Sequence, residues 1–129
     1  DLLGSGHTVA LGDVAGRVLW TKDVSFEVAR VAVDRDAAHL VVGGARGDLL
    51  LLDRMRQNVW THRQDAPIAA VATAGSGATV FACGGPGVAS GGVGMVGEDG
   101  GLLWYTELVG TPLEVAVDAA GRTVAVLLL

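Results

Sequence analysis

Three tryptophans, Trp20, Trp60 and Trp104, occupy the same position of a repeating unit of about 40 residues. They lie 40 and 44 residues apart, and an aliphatic residue precedes each of them. Repeat periods of about 20 to 50 residues are typical of solenoids, propellers and arrays, because a single unit cannot bury its apolar face alone. The spacing therefore predicts stacked copies of one supersecondary unit.

Two short apolar segments follow each tryptophan at fixed distances. The first begins eleven residues after the tryptophan, and the second begins twenty residues after it. The three copies are residues 31–34, 71–74 and 115–118 for the first segment and residues 40–42, 80–82 and 124–126 for the second. The units align here without a gap, and Gly44 and Gly84 follow at the same offset in two of them. We expect each segment to form one strand.

The residues before each tryptophan repeat as well. Asp13 and Asp53 lie seven residues before the first two tryptophans, and Gly16 and Gly100 lie four residues before the first and the third. The four additional residues of the third unit fall in the glycine-rich stretch 84–101, where a loop accommodates an insertion at little cost in free energy. We predict that the tryptophans and the two aspartates are structural positions of the repeat.

Apolar alternation bounded by Gly, Asp and Pro predicts an all-β chain, and no segment has helical periodicity. One complete unit is expected to contain four antiparallel strands, at residues 28–33, 39–43, 48–53 and 58–62. The first strand is rich in Val and Ala, whereas the fourth carries the tryptophan. Small side chains suit the crowded axis of a β-propeller, and a large ring fills the wider gap between the outer parts of neighbouring blades. The pattern therefore favours a propeller segment of four-stranded blades.

The segment from Asp13 to Trp20, with Gly16 in its turn, resembles the repeat of PQQ-like (quinoprotein-like) β-propellers. That repeat has an apolar strand, an Asp, a short turn with Gly, and an apolar-Trp end. Residues 98–104 are similar with the Asp displaced, and residues 49–60 have Arg56 where Gly is usual. WD40-like repeats are a second resemblance, but the Trp-Asp ending is missing and Gly-His occurs once, at residues 6–7. The resemblance to PQQ-like repeats implies a propeller and an extracytoplasmic location.

Measured against this repeat, residues 1–129 form a single propeller segment of about three blades. Residues 7–24 end one blade, residues 28–64 and 67–109 form two more, and residues 112–129 begin the next. Closed propellers have about four to eight blades. We therefore expect this segment to meet either the remaining blades of a longer propeller or a second copy that closes a ring as a homo-oligomer.

Composition excludes two classes of partner. The chain has 14 acidic and nine basic residues and a net charge of −5, without the basic patch that nucleic acid binding needs. The longest apolar run, residues 123–129, is too short to span a bilayer. The single cysteine, Cys83, cannot form an internal disulfide, and its apolar neighbours predict a buried thiol.

The glycine-rich stretch 84–94 has spacing reminiscent of a phosphate-binding loop, but the strand expected at residues 94–97 cannot supply the N-terminal dipole of a helix. We interpret it as an elongated loop that contacts a partner, with the candidate contact residues Gly85, Pro86, Gly87 and Ser90. The tripeptide 46–48, Arg-Gly-Asp, occurs in integrin ligands, yet these residues are also ordinary in a tight turn.

The remaining polar residues do not form a motif of known chemistry. His7, His39 and His62 fall at different places in their units, and no second ligand follows any of them at metal-binding spacing. The aspartates at 34, 36 and 118 are interpreted as turn residues, and Gly-x-Ser-x-Gly is missing. We predict no catalytic, cofactor or metal site.

The sequence therefore favours a non-catalytic repeat scaffold that binds a protein partner through loops and blade edges. One alternative is implied by the family resemblance: part of a PQQ-dependent quinoprotein dehydrogenase, in which PQQ and a calcium ion lie at the propeller axis. A second is a sensor of small ligands or glycans, in which exposed aromatic side chains such as Tyr105 line a pocket.

Overall fold

The computed structural model describes residues 6–34, 36–85 and 91–128, and in these residues it contains twelve β-strands and no helix. The all-β prediction is therefore confirmed. The strands are β1 (Thr8–Gly12), β2 (Val18–Asp23), β3 (Val28–Val33), β4 (His39–Gly44), β5 (Asp48–Asp53), β6 (Asn58–Arg63), β7 (Ile68–Thr73), β8 (Thr79–Cys83), β9 (Gly91–Val96), β10 (Leu102–Leu108), β11 (Pro112–Val117) and β12 (Val124–Leu128).

Consecutive strands pair antiparallel into four sheets, which we number as blades in chain order. Blade 1 contains β1–β2, blade 2 contains β3–β6, blade 3 contains β7–β10, and blade 4 contains β11–β12. The first strand of blade 3, β7, packs against the first strands of blades 2 and 4, β3 and β11. The blades therefore stand side by side with their first strands on a common axis, as in a propeller.

A β-bulge recurs at the residue before each tryptophan. Opposite each tryptophan lies one residue of the preceding strand, and the residue before the tryptophan has no partner of its own in the pairing. The bulged residues are Leu19, Val59 and Leu103. A bulge increases the local twist and redirects the following side chain. Its recurrence gives the three tryptophans the same position and the same facing direction in their blades.

The first strands of blades 2, 3 and 4 carry a second recurring bulge. It lies at Ala29 in β3, at Ala69 in β7 and at Leu113 in β11. These three residues are spaced 40 and 44 apart, like the tryptophans. The two bulges together define a structural register that applies to every blade.

That register corrects the ungapped alignment of the second strands. Val33 pairs with Leu40 and Val117 with Val124, but Thr73 pairs with Thr79, so the turn of blade 3 is one residue shorter. The ungapped alignment is thus wrong by one residue in β8, and the glycine match of residues 44 and 84 is wrong as well. Gly44 pairs with Val28, and its counterpart in blade 3 is Cys83, which pairs with Ile68.

Three apolar layers lie between the blades. Side chains alternate between the two faces of each sheet, so Leu40 and Leu50 face blade 1 whereas Val41 and Leu51 face blade 3. The layer between blades 3 and 4 contains Val80, Ala82, Val93 and Val115. Trp20 packs in the first layer and Trp60 in the second, as expected for rings that fill the gap between blades.

Candidate functional site

An open groove of about 730 Å³ lies along the axis, at one end of β3, β7 and β11. Ala32, Ala72 and Val115 contribute to its apolar wall, and Asp36 and Asp118 lie at its rim. The first strands are rich in Val and Ala, and these small side chains leave space at the axis, while Thr73, Asp36 and Asp118 add polar groups to the lining. Among the described residues, the carboxylates that line it come from the turns between first and second strands.

These turns use their carboxylates to bind their own main chain. Asp118 Oδ1 accepts hydrogen bonds from the amides of Arg122 and Thr123, at 2.7 and 3.1 Å. The bond from Thr123, followed by that from Arg122, holds the pKa of Asp118 below its usual value. Asp34 is buried, accepts a bond of 2.7 Å from the Ala38 amide, and contacts His39 Nδ1 at 3.2 Å. The described residues contain no group of three or more metal-ligating side chains.

The turns between third and fourth strands are built in the same way. Asp13 Oδ1 accepts from the amides of Ala15 and Arg17, at 2.9 and 3.0 Å. Asp53 Oδ1 accepts from the amides of Met55 and Gln57, at 2.8 and 2.9 Å. The bond from the Arg17 amide is the largest cause of a lowered pKa at Asp13. The structure thus places both repeat aspartates two and four residues before the amides that they bind.

The fourth residue of this turn has a positive φ in all three copies. The angle is 87° at Gly16, 68° at Arg56 and 91° at Gly100. Glycine adopts this left-handed conformation without a steric penalty, whereas a side chain is disfavoured there. The backbone therefore explains why Gly is usual at this position, and Arg56 adopts the same turn despite its side chain.

Two of the histidines, His39 and His62, interact with local partners. His39 contacts Asp34, and His62 Nε2 lies 2.9 Å from Gln64 Oε1. The Arg-Gly-Asp tripeptide forms the turn between β4 and β5, and Asp48 Oδ1 accepts a bond of 2.8 Å from Arg63 on β6. The candidate loop is only partly described: Gly85 has a φ of +144°, and Pro86, Gly87 and Ser90 lie outside the described residues. The strand after this loop begins at Gly91, three residues earlier than expected.

Sequence reasoning missed a contact between Cys83 and Tyr105. The thiol is buried, as predicted, and its Sγ lies 3.4 Å from the Tyr105 hydroxyl. Burial raises the pKa of Tyr105, and the hydrogen bond with Cys83 raises it further. The tyrosine fits because Gly92 lies between the strands, and a Cβ there would lie 2.6 Å from its hydroxyl oxygen. Gly92, which lies opposite Cys83, could have indicated this contact from the sequence, but only if the pairing of β8 with β9 had been known.

One apolar surface is left open. Trp60 is 7% exposed because blade 3 covers it, whereas the equivalent Trp104 on β10 is 38% exposed. Leu102 and Leu103 on the same strand are also exposed. We call the exposed side chains of β10, together with the outer edge of β12 in blade 4, the open face. Blade 4 covers the inner strands of blade 3 and leaves this outer part accessible in the described structure.

Comparison with solved structures shows which fold the chain shares with known proteins. The fold is that of PQQ-like β-propellers, represented by hydrazine synthase and BamB, and it matches nearly the whole chain. No family model and no curated protein sequence matches the chain. The propeller prediction is confirmed by structure alone.

Three solved structures illustrate the similarity. Kuenenia stuttgartiensis hydrazine synthase has a TM-score of 0.77 and 19% identity, with 97% of this chain and 37% of that one covered. A protein of unknown function from Desulfotomaculum acetoxidans DSM 771 has a TM-score of 0.73 and 10% identity, with 92% and 39% covered. BamB from Moraxella catarrhalis has a TM-score of 0.71 and 20% identity, with 96% and 38% covered. The chain thus spans well under half the length of these proteins.

Proposed function

We propose that this chain is a non-catalytic β-propeller scaffold that binds a protein partner through its loops and blade edges. The observation that carries the proposal is the open face, where the consecutive residues Leu102, Leu103 and Trp104 are all exposed. Contiguous apolar surface of this kind marks an interaction site in soluble proteins. A protein partner would bury both the side chains and the strand edge beside them.

The strand edge supports the same proposal. β12 pairs with β11 on one side, and in the described part of the chain its other side has no partner. Unpaired main-chain amides and carbonyls favour the addition of a further strand. The open face therefore offers main-chain hydrogen bonds for affinity and the exposed indole of Trp104 for specificity.

The axial groove supports a binding role over a catalytic one. Its lining combines small apolar side chains with Thr73, Asp36 and Asp118, and the Asp118 carboxylate already accepts two main-chain hydrogen bonds. Since these bonds stabilise the ionised form, Asp118 is a poor general acid or base near neutral pH. The candidate loop after Gly84 is a second predicted contact with the protein partner. Partner recovery after deletion of residues 85–90 tests this contact separately.

The experiment is partner recovery from the native source with the tagged chain as bait. Trp104→Arg changes the open face, and Met55→Arg is the control because Met55 is also an exposed apolar residue, in a turn of blade 2 away from this face. We expect a stoichiometric partner with the wild type and with Met55→Arg, and at least about tenfold less with Trp104→Arg. Equal recovery by both variants, or the lack of any stoichiometric partner, would contradict the proposal.

A titration of the chain with PQQ and calcium distinguishes the scaffold proposal from the alternative of a PQQ-dependent dehydrogenase. The scaffold proposal predicts that the absorbance spectrum of PQQ is unchanged by the chain. A saturable spectral change, with dehydrogenase activity, would replace the proposal.

A further inference from the structure

Two cationic side chains meet at the junction of blades 1 and 2. Lys22 lies on β2, the outer strand of blade 1, and Arg56 lies in the turn between β5 and β6, which we call the third turn of blade 2. Lys22 Nζ donates a hydrogen bond of 3.0 Å to the main-chain carbonyl of Arg56. Arg56 Nη1 donates one of 3.1 Å to the main-chain carbonyl of Thr21, the residue before Lys22. The two charged groups are therefore anchored in the same contact.

No acidic side chain neutralises this pair within the described part of the chain. None of the ion pairs found there includes Lys22 or Arg56. Asp53 lies in the same turn, but its Oδ1 accepts hydrogen bonds from the amides of Met55 and Gln57. Main-chain carbonyls orient the two cations and carry no net charge. The junction therefore keeps two positive charges that repel each other, and an anion bound between them would remove the repulsion.

Arg56 replaces the glycine of the repeat and strains the backbone. Its φ is +68°, at the position that Gly16 occupies in blade 1 and Gly100 in blade 3. A side chain is disfavoured in this left-handed conformation. Strained residues are concentrated at functional sites. The strain therefore indicates a role for the Arg56 side chain that glycine cannot fill.

Lys22 differs from the repeat at the same junction. The residue two positions after the tryptophan is His62 in blade 2 and Thr106 in blade 3. The junction of blades 2 and 3 accordingly has His62 and Gly100 at the positions of Lys22 and Arg56. The two cations thus occur together at one junction, which favours a ligand that contacts both.

We propose that Lys22 and Arg56 form a binding site for a phosphate group at the junction of blades 1 and 2. The site lies apart from the open face and does not rest on the proposed function. Each cation makes one hydrogen bond among the described residues, so most of its N–H donors remain available to an oxyanion. Arg56 is exposed and Lys22 is half-buried, so the site is accessible from solvent.

The charge of the pair selects a phosphate group over a carboxylate. A phosphomonoester carries a charge of about −1.5 to −2 near neutral pH, which matches two cations, whereas a carboxylate matches one. The guanidinium of Arg56 supplies a planar fork of donors, and the ammonium of Lys22 supplies a compact charge beside it. The recognised chemistry is therefore a phosphomonoester, which occurs on small soluble molecules and on lipid headgroups.

A titration of the isotope-labelled chain with inorganic phosphate, followed by NMR, tests the site. Sodium chloride is lowered as phosphate is added, so that the ionic strength and the screening of surface charges stay constant. We expect saturable shifts at the Arg56 side chain and at the amides around Lys22. Lys22→Gln and Arg56→Gln should each weaken binding about tenfold or more, and Arg56→Lys, which keeps the charge, should weaken it less.

Two variants serve as controls. Arg17→Gln changes the net charge by the same amount in the equivalent turn of blade 1, where Arg17 pairs with Asp13 at 2.9 Å. Its phosphate affinity should equal that of the wild type. Arg56→Gly restores the residue of the repeat and relieves the strain, so it should keep a thermal midpoint close to that of the wild type while losing phosphate binding.

Two further measurements distinguish the sources of the phosphate group. Glycerol phosphate replaces inorganic phosphate in the titration, and the chain is sedimented with vesicles of phosphatidylcholine, with or without phosphatidic acid. Binding of glycerol phosphate without sedimentation assigns a soluble ligand. Sedimentation that requires phosphatidic acid and is abolished by Arg56→Gly assigns a lipid headgroup.

Three results would overturn the site. They are the lack of a saturable change with phosphate in the wild type, equal weakening by Arg17→Gln and Arg56→Gln, and binding that survives both Lys22→Gln and Arg56→Gly. None of them affects partner recovery through Trp104, so failure of this inference and failure of the proposed function are distinguishable.

Discussion

The indole of Trp20 donates a hydrogen bond of 3.1 Å to the main-chain carbonyl of Arg54, in the next blade. Two further bonds join the same elements, from Lys22 Nζ to the Arg56 carbonyl and from Arg56 Nη1 to the Thr21 carbonyl. Blade 1 is therefore anchored to the third turn of blade 2. Trp60 makes the equivalent packing contact, but its Nε1 has no hydrogen-bond partner among the described residues.

The first prediction compares two tryptophans at the same position of the repeat. Trp60→Ala should lower the free energy of unfolding by about 3 to 5 kcal/mol, since it leaves a cavity between blades 2 and 3. Trp104→Ala should cost less than about half of that in a dilute, monomeric sample, because its ring is partly exposed. Urea unfolding of both variants gives the comparison. Equal losses would show that Trp104 is buried in solution under those conditions.

The second prediction concerns Gly47, in the turn between β4 and β5. Its φ is +101°, and a Cβ there would overlap the carbonyl oxygen of Gln64. Gly47→Ala should destabilise the chain by about 2 kcal/mol or more, because strain and a backbone clash add. Gly75→Ala is the matched control, since a Cβ at Gly75 meets no atom within 4 Å. Thermal unfolding of the two variants tests this, and similar midpoints would disprove the turn geometry.

The third prediction concerns Phe81 and Gly94, which lie opposite each other on β8 and β9. Phe81 is fully buried, and a Cβ at Gly94 would lie 2.6 Å from its Cζ. Gly94→Ala and Phe81→Leu should each destabilise by about 1 to 3 kcal/mol, from overpacking and from a cavity. The double variant should be more stable than the sum of the two losses predicts, by about 1 kcal/mol. Additive losses in a double-mutant cycle would show that Phe81 and Gly94 do not interact, and would contradict the prediction.

The fourth prediction concerns acid stability. Main-chain hydrogen bonds, from Arg17 and from Thr123 respectively, lower the pKa of Asp13 and Asp118 in the folded state. Their contribution to stability is therefore present above the unfolded pKa of about 3.9 and is lost as the pH falls through the lower folded values. We expect Asp13→Asn/Asp118→Asn to show a smaller fall in melting temperature between neutral and acidic pH than the wild type.

The matched control for the acid experiment is Asp65→Asn. Asp65 is exposed, and no hydrogen bond to its carboxylate is formed by the residues that the structure describes. This variant should follow the wild-type dependence of melting temperature on pH. If the double variant also followed it, the turn bonds would not be the source of the acid sensitivity.

Much of the fold could be predicted because its signals are local. Apolar alternation determines which face of a strand is buried, and the Asp and Gly of each third turn form contacts within five residues. The bulge before each tryptophan is equally local, although the alignment alone did not show it. The position of Cys83 inside a strand was sufficient to predict a buried thiol.

Other features depended on neighbouring strands and could not be predicted. The shorter turn of blade 3 shifted β8 by one residue, and this placed Cys83 opposite Gly92 and beside Tyr105. Because side chains alternate, a shift of one residue exchanges the two faces of a strand. An ungapped match of Val and Ala positions cannot detect such a shift, since small apolar residues occupy both faces of β8.

The sequence by itself determined the β-strands, the repeat and the three tryptophan positions, because alternation and turn chemistry act over a few residues. Only the tertiary structure decided that Trp60 is enclosed and Trp104 is accessible, although both follow the same kind of bulge. Burial of an indole depends on whether the next blade presents a third turn against it. That contact comes from residues about 40 positions away, and no local pattern around the tryptophan encodes it.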